Sequence, residues 1–186
     1  MKRNRIGLTF TELLIVSSLF LIIGIVVYAV TRNTINFWYR IKLSSELEDL
    51  NIIFDKLSFD LQNSFRFKGI SILGNKERLE FPCLVNSSKL KKITVGKIIY
   101  EFDSLTKTLN KYQLDYSDIY NDKFPNPNFS LRNVESLEFQ YYIYDKNKKA
   151  YFWQEELKDD DIFKAVRLKI KFLNREFSYT VDIPYA

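Results

Sequence analysis

The chain has 186 residues, no histidine and a single cysteine, Cys83, which excludes histidine-based catalytic triads, the usual zinc sites and an intramolecular disulfide. With 46% hydrophobic, 16% aromatic and 27% charged residues it belongs with globular chains, and its length suits one domain of ordinary size. The net charge of +5 falls to +2 if Lys2, Arg3 and Arg5 leave with a leader, too little to argue for a nucleic-acid partner.

Residues 1–7 carry three positive charges and no negative one, and an apolar run over residues 13–30 follows. That order puts the N-terminus on the cytoplasmic side. Residues 8–30 would form ~34 Å of helix at ~1.5 Å per residue, enough to span a hydrocarbon core of ~30 Å. A secretory signal peptide shares the basic-then-apolar pattern, but its cleavage site follows the apolar run. Here Tyr28, Val30, Arg32 and Asn33 offer no small-x-small site, and the small residue, Gly7, precedes the run instead. Glu12 lies at the start of the run, where an unpaired carboxylate is costly in a bilayer and calls for a partner.

The stretch Gly7-Leu8-Thr9-Phe10-Thr11-Glu12-Leu13-Leu14-Ile15-Val16 resembles the cleavage and methylation motif of type IV pilins and type II secretion pseudopilins. The resemblance implies removal of residues 1–7 by a prepilin peptidase that cuts after Gly7, N-methylation of Leu8, and retention of the apolar helix. It also implies a role for Glu12 in subunit register. The cationic amine of one subunit beside the Glu12 carboxylate of its neighbour would neutralise both charges in an apolar bundle, and breaking such a pair costs ~3–5 kcal/mol. Leu8 stands where phenylalanine is commoner, and no proline interrupts residues 8–63.

Past the membrane segment, Phe37, Trp38 and Tyr39 beside Arg40 and Lys42 are candidate membrane-interface anchors, since amphipathic rings favour the headgroup level. Leu43, Leu47, Leu50, Phe54, Leu57 and Leu61 then recur at spacings of 4, 3, 4, 3 and 4, one apolar stripe of an amphipathic stalk over residues 31–66.

Over residues 67–186 the period changes to 2. Strands are expected at 78–85, with Pro82 marking an edge or bulge, then at 93–102 and 108–114 around Asp103-Ser104-Leu105-Thr106. Residues 116–128, with Pro125 and Pro127, read as a mobile loop. Two further hairpins follow, 134–144 with 150–154, and 165–173 with 176–183, the last placing Val166, Leu168, Ile170 and Phe172 on one face. The fold class is α+β, a long N-terminal helix packed on antiparallel β-sheet.

Within the pilin class the feature order resembles the J-type minor pseudopilin: Phe59-Asp60-Leu61-Gln62 with Arg66, Ile98-Ile99-Tyr100-Glu101-Phe102, Val134-Glu135-Ser136-Leu137-Glu138-Phe139, Trp153, and Ala165-Val166-Arg167-Leu168. The family commonly has Leu-Pro where this chain has Phe163-Lys164. The resemblance implies a structural subunit of the bacterial inner membrane, single-pass, with its C-terminal domain periplasmic. Its partners would be I- and K-like minor pseudopilins, the major pseudopilin and the prepilin peptidase. A minor pilin of a type IV pilus or competence filament is the alternative, and an uncleaved anchored enzyme or sensor a third. No catalytic site, cofactor, metal or small-molecule substrate is expected. Asp159-Asp160-Asp161 lack the spacing and glycine turn of a calcium loop, Cys83 reads as a buried small hydrophobe, and Lys89, Lys91, Lys92 and Lys97 near Tyr100 read as a solvated basic face.

Overall fold

The computed structural model describes residues 9–87, 90–121, 123–146 and 148–183. Helix α1 runs over Phe10–Gln62, and the chain divides into two compact units, Met1–Glu48 and Asp49–Ala186. Gly7 and Leu8 lie outside the described residues.

In the first unit α1 begins at the Leu13 N–H to Thr9 carbonyl bond, 3.1 Å, and nothing in its sequence interrupts it. Its most apolar 18-residue window has a mean hydropathy of 2.8 and no buried residue, so it is long and apolar enough to cross a membrane. The hydroxyls in this stretch are satisfied by the helix itself: Ser17 donates to the Leu13 carbonyl at 2.8 Å, Ser18 to Ile15 at 2.8 Å, Thr31 to Val27 at 2.8 Å and Thr34 to Val30 at 2.9 Å. Polar atoms that bond within the helix can enter hydrocarbon at little cost.

The second unit holds the last turns of α1 and nine strands: β1 (Leu73–Gly74), β2 (Arg78–Ser87), β3 (Lys92–Asp103), β4 (Thr108–Asp115), β5 (Phe129–Leu131), β6 (Val134–Asp145), β7 (Ala150–Gln154), β8 (Phe163–Phe172) and β9 (Arg175–Asp182). They form two antiparallel sheets, β1-β2-β3-β4-β5 and β7-β6-β8-β9. A single core joins them: Leu50, Ile53, Phe54, Leu57 and Leu61 of α1 pack with Leu79, Phe81 and Ile98 of the first sheet and Phe139, Val166, Leu168 and Phe172 of the second. The Phe54 ring stacks on Tyr179 of β9 at 4.8 Å. The α+β class with a long N-terminal helix and antiparallel sheet is therefore what the chain adopts. The stalk stripe is buried only from Leu50 onward, and Leu43 is 42% exposed.

Three short elements escaped the periodicity reading. β1 has two residues and β5 three, too few to show alternation. Residues 116–128 are not simply a loop. They open with helix α2, Tyr116–Tyr120, capped by the Asp115 carboxylate, which accepts the Asp118 N–H at 2.9 Å. Their far end is tied to β4, where the Asn128 side chain accepts the Gln113 N–H at 2.7 Å and Phe124 packs edge-on against Tyr112 at 4.9 Å.

Pro82 sits where β2 has lost its neighbour. β1 pairs only with Leu79 and Glu80, so beyond them a loop residue takes over, Phe65 donating to the Pro82 carbonyl at 3.4 Å. Gly74 marks a close approach between the sheets. An added Cβ there would run into the ring of Tyr141, whose hydroxyl donates to the carbonyls of Asn75 at 2.8 Å and Arg78 at 3.2 Å.

Candidate functional site

The first turn of α1 answers the question posed by Glu12 with a local partner. The Glu12 carboxylate accepts the Thr9 N–H at 2.8 Å and the Thr9 hydroxyl at 2.9 Å, while the Glu12 N–H lies 3.4 Å from that same hydroxyl oxygen. This reciprocal pair is a capping box, in which a threonine and a glutamate three residues on satisfy two otherwise orphaned N–H groups. The signal was in the sequence as Thr9-x-x-Glu12, and attention to the carboxylate alone missed it. Glu12 is exposed, with one face of its carboxylate engaged by its own chain.

Phe37, Trp38 and Tyr39 are 61%, 66% and 74% exposed on the same helix. At ~100° per residue three consecutive rings fan over ~200° of the helix surface, a partial girdle rather than a stripe. Glu12 and Phe37 are separated by ~38 Å at ~1.5 Å per residue, close to the ~40–45 Å of a bilayer including its headgroups. The two features thus fall where the two interfaces of a spanned membrane would lie.

The end of α1 carries a buried polar cluster that periodicity did not predict. Asp60 forms an ion pair with Lys111 of β4 at 2.5 Å, the side chains 6% and 8% exposed, and accepts the Tyr100 hydroxyl at 2.5 Å. Burial first, and the Asp60 charge second, push the Tyr100 phenol far above its ordinary range, so it stays a donor. Cys83 points its thiol at the Asp60 carbonyl, 3.8 Å, and burial first, with the Asp60 charge second, raises its pKa and favours the protonated thiol. A buried, protonated thiol is no nucleophile, and the cluster is closed to substrate. It ties α1 to the first sheet.

The other residues singled out by sequence are dispersed. Lys97 bonds Glu80 on the outer face of β3 at 3.5 Å, Tyr100 is buried on the inner face, Lys91 and Lys92 are exposed near the hairpin end, and Lys89 lies outside the described residues. Asp159 accepts the Ile72 N–H at 2.7 Å and Asp161 the Lys158 N–H at 2.8 Å. The backbone carbonyls of Asp159 and Asp161 are met by the Arg66 guanidinium at 3.0 and 2.5 Å. A cation is already built into that loop, and among the described residues no group of three potential metal ligands occurs. No protein-family model matches this chain, and no curated protein does either.

Proposed function

We propose that the chain is a minor pseudopilin, most like the J-type subunit of a type II secretion system, cut after Gly7 and built into the start or tip of a periplasmic filament. The observation that carries this reading is one stretch: Gly7 before the apolar run, Glu12 within its beginning, and a continuous helix whose apolar window has no buried residue among the described residues. Lipid covers such a surface before assembly, and the helices of neighbouring subunits cover it afterwards. Chemistry is assembly rather than turnover. Glu12 sets register against the amine of a neighbour, Phe37, Trp38 and Tyr39 fix the depth of the helix, and the two-sheet domain meets the I- and K-like subunits.

Mass spectrometry of the N-terminus tests this directly. Co-expressed with an active prepilin peptidase, the protein is expected to begin at a methylated Leu8. An intact Met1 to Gly7 leader under those conditions leaves an uncleaved membrane anchor as the better description. A minor pilin of a type IV pilus or DNA-uptake filament shares every step of processing.

A further inference from the structure

The two sheets have four edge strands, and the edges are not alike. β1 has two residues and is bonded on its far side, where Gly74 and Leu157 exchange backbone hydrogen bonds at 2.9 Å, while β5 has only three residues. β7 has five and β9 eight, without proline, and among the described residues neither has a backbone hydrogen bond along its outer side. Such edges template another strand unless they are blunted. Rings on the inner side of both are incompletely covered, Phe152 of β7 being 39% exposed and Phe177 and Tyr179 of β9 half-buried.

The ladders determine which backbone groups face each open edge. The β8–β9 turn is Leu173-Asn174 with φ of 52° and 59°, a two-residue left-handed turn that hydrogen-bonds its flanking pair, Phe172 and Arg175. Odd residues of β9 therefore bond β8, a parity that the Ile183 N–H continues by donating to the Lys164 carbonyl at 2.7 Å. Glu176, Ser178, Thr180 and Asp182 face outward. On β6 the Tyr144 N–H meets the Ile162 carbonyl on the β8 side, and the Phe139 N–H meets the Lys76 carbonyl on the other, both at 2.8 Å. Odd residues of β6 thus bond β7 through Ala150, Phe152 and Gln154, which leaves Tyr151 and Trp153 facing its open edge.

We propose that β9 of one copy of this chain pairs antiparallel with β7 of the next copy, Thr180 opposite Tyr151 and Ser178 opposite Trp153. In that register the outward-facing backbone groups of the two edges oppose each other, and the side-chain faces agree, Tyr179 lying opposite Phe152 on the inner face. Charge agrees as well. Asp182 falls opposite Lys149 and Arg175 opposite Glu156, all four exposed and without an ion pair among the described residues. A slip of two residues either way parts both charge pairs. Glu176 comes beside Glu155, whose carboxylate is already held by Lys76 of its own chain at 2.9 Å. Because β7 runs parallel to β8 and antiparallel to β9, the copies keep one orientation, as chains side by side in one membrane do. A second copy is favoured over a foreign strand because this chain carries both halves of the match. The contact joins unlike surfaces, so it does not close on two copies.

The contact goes beyond the filament reading and needs neither cleavage after Gly7 nor Glu12, so the two fail separately. The test uses the full chain in neutral-detergent micelles, with Thr180→Cys and Tyr151→Cys combined in one chain. A hydrogen-bonded pair sets its Cα atoms about 5.5 Å apart, within disulfide reach, whereas inside one chain the two positions are three strand spacings, ~14 Å, apart. Mild oxidation, each pair of thiols releasing two protons and passing two electrons to copper(II)–phenanthroline, should give a ladder of dimers, trimers and higher species on non-reducing gels. Wild type, whose only thiol is the buried Cys83, and each single-cysteine variant should give none. Thr180→Pro removes one outward N–H and leaves the β8–β9 ladder intact, so its unfolding midpoint should hold while self-association, read by analytical ultracentrifugation, is lost. Asp182→Lys should weaken association, and adding Lys149→Asp should restore it. A chain that stays monomeric at every concentration, with no ladder from the double-cysteine variant, overturns the proposal. So does a dimer from Thr180→Cys alone, which would join two β9 edges. Undiminished association of Thr180→Pro overturns it too and would place the contact elsewhere, as on α1.

Discussion

One helix carries apolar residues in two settings. Between residues 13 and 30 they are exposed, Leu21 at 64% and Ile25 at 60%, whereas Ile53, Leu57 and Leu61 are at 0%. Polar groups differ in parallel: in the first unit they bond within the helix, as Ser17 and Thr31 do, and in the second they reach across the fold, as Asp60 does to Lys111. The second unit therefore stands on its own packing. The first leaves its apolar residues exposed on a helix long and apolar enough to cross a membrane.

The largest expected effect falls on the packed side. Lys111→Met leaves Asp60 buried without its cation, and a pair broken on one side costs ~3–5 kcal/mol. Denaturant unfolding of the full chain in detergent should show that loss, and Asp60→Leu combined with Lys111→Met should recover most of it. A double variant as unstable as the single one would show that the pair is worth more than the apolar packing that replaces it.

Leu57→Ala is expected to cost ~2–5 kcal/mol through the transfer term and the cavity it leaves. Leu21→Ala removes the same atoms from a surface that is already exposed, and the unfolding midpoint of the second unit should not move. A shift of that midpoint by Leu21→Ala would erase the distinction between the two settings. Gly74→Ala comes next, at ~1–3 kcal/mol, because Tyr141 must give way and with it the hydroxyl bonds to Asn75 and Arg78. Adding Tyr141→Phe should then cost little more, since the same bonds are already disturbed.

These contrasts mark what could be read from the residues. Alternation over β8 identified Val166, Leu168, Ile170 and Phe172 as one buried face because a sheet with one solvated side writes its period into the chain. The Asp60–Lys111 pair is 51 positions apart and has no period. Its only trace was a carboxylate ~60° from Leu57 around the helix, at the edge of the apolar stripe beside Ile53, where a buried polar residue needs a distant partner. Ring and cation convergence at Trp153 and Arg167 is equally tertiary: the residues come from β7 and β8, which are not neighbours but flank β6 in the sheet. Division into two sheets was hidden as well, because β-hairpins of either sheet look alike locally.

The smallest change bears on the feature with the largest proposed role. Glu12 has two uses for one carboxylate, as the N3 member of the cap with Thr9 and as the charge that a neighbouring amine would meet in a filament. Glu12→Ala removes both and cannot separate them. Glu12→Gln keeps a carbonyl oxygen able to accept the Thr9 N–H, since glutamine serves in a capping box, and removes only the charge. Helicity of the purified chain should therefore stay unchanged in Glu12→Gln and fray at the first turn in Glu12→Ala. Cleavage after Gly7 should proceed in both. Filament incorporation, read as co-sedimentation with sheared filaments, should be lost in both if charge pairing sets register. Incorporation of Glu12→Gln at the wild-type level would assign the carboxylate to the cap alone, and the register role would pass to some other contact of the apolar helix.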